Sequence, residues 1–230
     1  METALHVSPS LGAKYPGASI GILVMRGVAN PDGHDPLETH ATELIRSLRS
    51  NLSGLDRNAL KSLPTIAAYE AYYRGFKKTY HVRLQLESVI LKGKSLPPVG
   101  ALVKAMFIVE LKNQLLTAGH DADVIRPAMT AAAAEGSEQY TLLNGAEQVC
   151  KAGDMKISDG AGVISSIVYG PDHRTRLTST STAACYTVYG VPGVEPQTVH
   201  NHLCDLRDLL VVVTPDAEVE ELTVHEASSQ

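Results

Sequence analysis

The sequence predicts an α+β fold in which helices come first and strands later, not a doubly wound α/β sheet. Through about residue 116 the apolar side chains recur mostly at three- and four-residue steps, the period of helices that bury one face. After Ile125 this gives way to short runs separated by Gly, Asp and Pro, the pattern of strands and their turns. No internal repeat, low-complexity tract or linker breaks the 230 residues. Residues 1–215 are therefore expected to form a single unit, followed by an acidic tail over 216–230.

The first element is the apolar, β-branched run from Ser19 to Ala29, a buried strand that closes near Gly27 with Arg26 at its end. Asp35-Pro36-Leu37-Glu38 then supplies an N-cap acid, a proline at the first helical position and an acid at the third, which predicts a helix from about Leu37 to Asn51. Pro64 opens a second helix, with Ile66, Tyr69, Tyr73 and Phe76 on one face. A third runs roughly from Arg83 to Leu91, and a fourth from about Ala101 to Leu116, with Gly119 placed to terminate it. Candidate strands follow in AMTAAAA, QYTLLN, MKISDGAGVISSIVYG and AACYTVYGV, with Asp159-Gly160 as a hairpin turn and Thr178 to Thr182 as a Thr-rich strand. A last helix spans Pro196 to Leu210, and the acidic remainder from Asp216 reads as a frayed or loosely docked tail.

A composition of 44% hydrophobic and 20% charged residues excludes a disordered or fibrous chain. The net charge of −5 excludes a protein that grips nucleic acid by bulk electrostatics, since phosphate contacts need clustered Lys and Arg. Any nucleic-acid site must be local, and the stretch from Tyr69 to Lys94 offers one: Arg74, Lys77, Lys78, Arg83, Lys92 and Lys94 stand against only Glu70 and Glu87. Its tyrosines read as core, while its basic residues stay open between phosphate contact and solvation. Cys150, Cys185 and Cys204 show no Cys-x-x-Cys spacing and cannot form a disulfide framework. The N-terminal segment lacks a charged start followed by an apolar run, and no stretch approaches a membrane span, so a cytoplasmic location without a membrane partner is expected.

The loud catalytic signatures are absent: there is no Gly-x-Ser-x-Gly elbow, no phosphate-binding Gly-rich loop and no His-Glu-x-x-His. His200 and His202 lie two apart on a predicted helix and point in different directions, so neither a metal nor another cofactor is expected. His120-Asp121-Ala122-Asp123 follows the predicted helix stop. It either projects polar groups into a cleft or simply caps the next turn, and the spacing leaves both readings open. Asp172-His173-Arg174-Thr175-Arg176, with the hydroxyls of Thr178 to Thr182 behind it, combines acid, imidazole and guanidinium within five residues. That chemistry suits a phosphate or ribose and an oriented water; a solvated hairpin tip is the alternative.

The segment KGKSLPPVGALVKAMFIVELKNQLLTAGHDADVI resembles the central part of the editing domain of the bacterial phenylalanyl-tRNA synthetase β subunit. There a Pro-Ile-Asn turn leads into a Val-Asp-x-x-Asn helix, then Leu-Gly-Gln-Pro-x-His-Ala-Phe-Asp and a further aspartate. Pro98 matches the proline, Val103 the helix valine, and Asp121 and Asp123 the closing acids. Downstream, ISDGAGVISSIVYGPDHRTR resembles the family's Ala-Asp-Gly hairpin and Gly-Gly-Glu-x-Ser turn, setting Asp159 against the first acid and Asp172 against the glutamate. The matches run in order from Lys92 to Val191. Lys104 and Phe107 replace the helix Asp and Asn, and Ala118 stands at the editing-site histidine, with His120 two positions later. LLTAGHDADVI is thus a marker of fold more than of catalysis.

The resemblance implies a layered domain with a β-sandwich-like pair of sheets covered by helices, in a free-standing form. It also implies a trans-acting hydrolase that cleaves a mischarged aminoacyl ester from tRNA, or a non-catalytic relative that binds a tRNA end, an amino acid or a nucleotide. On the hydrolytic reading Asp172 or His120 orients water, Thr180 or Thr182 meets the amino acid or ribose, and Arg174 or Arg176 holds the terminal phosphate. Asp121, Asp123, Asp159 and Thr178 join the substrate site, and Arg74, Lys77, Lys78, Lys92 and Lys94 cover the tRNA. The sequence leaves the oligomeric state and the amino acid open.

Overall fold

The computed structural model describes residues 5–227; the outer ends of the N-terminal segment and of the acidic tail lie outside the described residues. In chain order the elements are β1 (Leu5–Val7), α1 (Pro9–Lys14), β2 (Ser19–Arg26), α2 (Asp35–Asn51), α3 (Arg57–Lys61), α4 (Pro64–Gly75), α5 (His81–Ile90) and α6 (Ala101–Asn113). There follow β3 (Thr117–Asp121), β4 (Met129–Ala133), β5 (Gln139–Thr141), β6 (Glu147–Val149), β7 (Met155–Asp159), β8 (Gly162–Ser166), β9 (Gly170–Pro171), β10 (Ala183–Gly190), α7 (Pro196–Val213) and β11 (Glu218–Glu226). The fold is α+β, with helices concentrated before the strands as the periodicity requires.

The strands form a five-stranded sheet in the order β1-β4-β7-β8-β9, a four-stranded sheet in the order β11-β2-β10-β3, and the separate hairpin β5-β6. β1 joins β4 in parallel, and the other pairings are antiparallel. β2 and β10 lie inside the second sheet and are buried almost end to end, which is why both read as continuous apolar runs. α7 packs on this sheet at Gly21: a Cβ there would stand 2.6 Å from Val199 Cγ1, so only glycine admits the helix this closely.

Tyrosines dominate the core between sheet and helices. Tyr69 and Tyr80 stack with ring centroids 4.4 Å apart, and several buried hydroxyls find backbone carbonyls: Tyr73 donates to Ile167 at 2.6 Å, Tyr80 to Gln114 at 2.9 Å and Tyr186 to Leu102 at 3.2 Å, while Tyr72 donates to Asp154 Oδ1 at 2.6 Å. Burying these hydroxyls without partners would cost stability; paired, they pin helix and strand ends together. Asn30 does the same from a loop. Its Oδ1 accepts from the Leu102 N–H in the first turn of α6, and its Nδ2 donates to the Thr178 carbonyl, both at 2.9 Å. α6 thereby gains a cap that its own N-cap, Gly100, cannot supply.

Four expectations are corrected. Asp35 is the first residue of α2, and the cap is His34, whose Nδ1 accepts from the Leu37 N–H at 3.4 Å. Gly119 does not end α6. The helix stops at Asn113 with Gln114 in the left-handed region, φ 61°, and Gly119 sits mid-strand in β3 opposite Tyr186. The ladder with β10 outweighs the helix-stop signal, because β10 would otherwise leave a buried edge unpaired. Thr178 to Thr182 form a turn and not a strand: Thr178 N–H donates to Ser181 Oγ at 2.9 Å, and Ser181 N–H to the Thr178 carbonyl at 3.2 Å. Side-chain hydroxyls here compete with sheet pairing for the backbone. Finally, Glu218–Glu226 is no frayed tail but strand β11, paired along the whole of β2. A buried strand must satisfy both its edges, and the acids of β11 remain largely at the surface. No helix among the described residues is long and apolar enough to cross a membrane.

Candidate binding cavity

A cavity of about 610 Å³ opens between α5, α6, β3 and the loop that joins β8 to β9. Its floor is Thr117, Ala118 and Gly119 of β3 with Tyr189 of β10, and one wall is Val103, Met106, Phe107 and Glu110 of α6. His81 and Gln85, one turn apart on α5, form the opposite side; Ser166, Val168 to Pro171 and Leu143 roof it, and Arg176 stands at its exposed rim. A Cβ at Gly119 would press on Leu177 Cδ1 at 3.1 Å and Tyr186 Cε1 at 3.2 Å, so glycine lets the cavity floor pack closely there. A mostly apolar concavity with a few polar groups is the usual form of a small-molecule site.

Glu110 is its one buried acid. α6 is apolar around nearly its whole circumference, so it is a buried helix and any charge on it goes inside with it. Lys104 resolves this by pairing with Glu38 of α2. Among the described residues no cation pairs with Glu110. It accepts only the Thr117 N–H, at 2.8 Å, and burial drives its pKa up to about 8 although that hydrogen bond opposes the rise. At neutral pH its carboxyl is mostly protonated.

The residues singled out from the sequence fall in different places. Asp172 and His120 are linked through Thr175: the Thr175 hydroxyl donates to Asp172 Oδ1, and His120 Nδ1 lies 2.8 Å from Thr175 Oγ1. The His120 ring hydrogen-bonds only to Thr175 Oγ1 and not to Asp172 itself; both His120 and Asp172 are buried, and neither lines the large cavity. Burial holds the His120 pKa down to about 3, so the ring is neutral, and its Nε2 has no partner. Burial raises Asp172 as well. Asp172 reaches the surface only at a small polar hollow with Tyr140, His173 and Arg174.

Thr180 is on the exposed turn beside Asn30, away from both Asp172 and the cavity. Thr178 and Thr182 belong to the same turn, Thr182 donating to Asp123 Oδ2 at 2.9 Å. The predicted convergence of Asp172, His120 and the Thr-rich segment on one cleft does not occur. Asp121 caps its own turn, accepting from Asp123 N–H at 3.0 Å and from Ser181 Oγ at 2.6 Å, and Asp123 pairs with Arg26. Asp159 binds the Arg126 and Ala161 N–H groups and Arg174, each at 2.8 Å; burial would raise its pKa, but these partners outweigh it and hold the pKa low. Arg174 is thus spent on Asp159 and on the Val124 carbonyl.

Among the basic residues, Arg74, Lys77, Lys78, Lys92 and Lys94 are all exposed. Arg83 is buried between Glu70 and Glu87. Lys77 and Lys78 precede α5 and Lys92 and Lys94 follow it, so its ten residues separate the two groups by about 15 Å. Lys78 Nζ lies 5.4 Å from the centre of the Tyr169 ring, on the cavity roof, so one end of the basic strip abuts the cavity.

Sequence reasoning missed Glu110 and Gln85 and gave Thr175 no role of its own within the Asp172 to Arg176 group. A charge inside the apolar run Met106 to Leu111 was the available signal for Glu110; nothing local marks Gln85.

The architecture defines the chain as an α+β protein whose helices cover mixed and antiparallel sheets around a cavity. Its fold is similar to that of an N-terminal fragment of the phenylalanyl-tRNA synthetase β subunit from Pyrococcus horikoshii, with a TM-score of 0.50 and 13% sequence identity over 94% of this chain and 50% of that one. The chain therefore spans half the length of that fragment, and the likeness is one of fold. No family model and no curated protein matches the sequence.

Proposed function

We propose a tRNA-related function in which the α6–β3 cavity takes the aminoacyl group at the 3′ end of tRNA and the exposed basic side chains guide the RNA to it. One observation carries this reading: the segment 92–191, which resembles the synthetase editing domain in sequence, supplies every residue lining the cavity except His81 and Gln85. The fold likeness to the synthetase fragment supports it. Lys78 and Arg176 lie beside the cavity, where phosphates of a bound strand would be neutralised, with affinity falling steeply as salt rises. On this reading the chain acts as one cytoplasmic unit, with β11 at the far edge of the sheet whose opposite edge, β3, floors the cavity.

Binding without chemistry is the reading the geometry favours, because Asp172 and His120 are engaged with each other through Thr175 and stand away from the cavity. Hydrolysis of a mischarged ester is the second reading, favoured by Glu110, an acid held protonated near neutrality inside an apolar cavity. Such a group can donate to an ester carbonyl or pass on a proton, and an activated ester needs little beyond a positioned water and an oxyanion donor.

Filter binding with aminoacylated and deacylated tRNA, run beside a deacylation panel of mischarged tRNAs, tests both. Tighter binding of aminoacylated tRNA supports the first reading, and ester cleavage above background selects the second. Absence of tRNA binding even at low salt, with all esters intact, removes both.

A further inference from the structure

Two hydrogen-bond acceptors in the cavity have no donor among the described residues. Glu110 is buried and engages the protein through Oε1 only, leaving its second oxygen without a partner. Gln85 Oε1, on the neighbouring helix, is shut off from solvent and equally unpaired. Both residues line the same cavity, whose other walls include Met106, Phe107 and Val168. At the rim, Arg176 spends Nη1 on His173 and keeps the rest of its guanidinium free.

A buried acceptor without a donor, as at Gln85 Oε1, is rare in folded proteins and points to a partner that arrives with the ligand. A ligand hydroxyl brings one donor. An ammonium brings three, and its positive charge draws the proton from Glu110 and pairs with the carboxylate left behind, where no cation among the described residues competes. The apolar walls call for an apolar body, and the free face of Arg176 for an anionic or ester-bearing end.

We propose that this cavity recognises a primary amine on an otherwise apolar ligand, with Glu110 and Gln85 binding the ammonium and Arg176 facing the opposite, electron-rich end. The inference rests on the cavity being the ligand site of the preceding proposal, and adds which residues set its specificity.

The test uses the full chain and three probes with one apolar body: 2-phenylethylamine, 2-phenylethanol and ethylbenzene, with binding measured by calorimetry at neutral pH. The amine is expected to bind at least about tenfold more tightly than the alcohol. Glu110→Gln keeps an acceptor for the Thr117 N–H and removes the charge, so it should erase the amine preference. Gln85→Leu should weaken the amine and leave ethylbenzene unchanged, with circular dichroism and melting confirming that both variants fold. Equal affinity for the three probes, no binding of any, or an amine preference that persists in Glu110→Gln overturns the proposal. If aminoacylated tRNA still binds in that case, the tRNA reading stands and the amine site falls; an amine preference without tRNA binding upholds the amine site and removes the tRNA reading.

Discussion

Replacing Glu110 with Gln should stabilise the protein, and by an amount that depends on pH. Burial raises the Glu110 pKa from 4.5 to about 8 in the folded state. Between these values the folded chain holds a proton that the unfolded chain has released, so folding stability falls as pH rises through that window. Each pH unit costs about 1.4 kcal/mol, which makes the accumulated penalty roughly 3 kcal/mol at pH 7 and levels it off above pH 8. Gln is neutral throughout and retains an acceptor for Thr117. The nearby Tyr69, Tyr73 and Tyr80 are held neutral by burial across this range and cancel in the comparison. Urea unfolding of both proteins from pH 4.5 to 8 should therefore show a small difference at the acid end that grows to about 3 kcal/mol in favour of the variant by pH 7. A difference that stays flat with pH, or a wild type that gains on the variant as pH rises, would refute the account of Glu110 as an unpaired buried acid.

Other perturbations have equally direct readouts. Thr175→Val removes the hydroxyl shared by Asp172 and His120, leaving buried polar atoms unmet; a loss of roughly 3 kcal/mol in urea unfolding is expected. Asn30→Ala strips the remote cap from α6 and frees the Thr178 carbonyl, and should lower stability by about 1–2 kcal/mol in the same assay. Gly21→Val would force a side chain against Val199 and should cost about 1–3 kcal/mol or more, read as a lower melting temperature. Lys77→Glu with Lys78→Glu should weaken tRNA binding and flatten its salt dependence while the melting temperature holds; an unchanged salt slope removes these lysines from the interface.

The order of elements was legible in local sequence. The three- and four-residue steps through Ile66, Tyr69 and Tyr73 gave α4, the Asp35-Pro36 start gave α2, and the unbroken apolar runs gave β2 and β10, because burial imposes a period that local residues must obey. The same pattern held the signal that α6 is buried all round, and with it the anomaly of an acid at 110. Whatever depended on pairing at a distance was decided by the folded chain alone. Gly119 carries a helix-stop signal, yet β10 needed an edge partner and drew residues 117–121 into a strand. The acidic residues 218–226 look solvated in isolation, yet the free edge of β2 ordered them as β11. Asp172, Asp159 and Asp121 carry reactive-looking side chains, and only the fold showed that each is consumed by backbone N–H groups, hydroxyls or Arg174. Local sequence states what a side chain can do; which partner reaches it first is settled by residues tens of positions away, and here those partners left the open chemistry to Glu110 and Gln85.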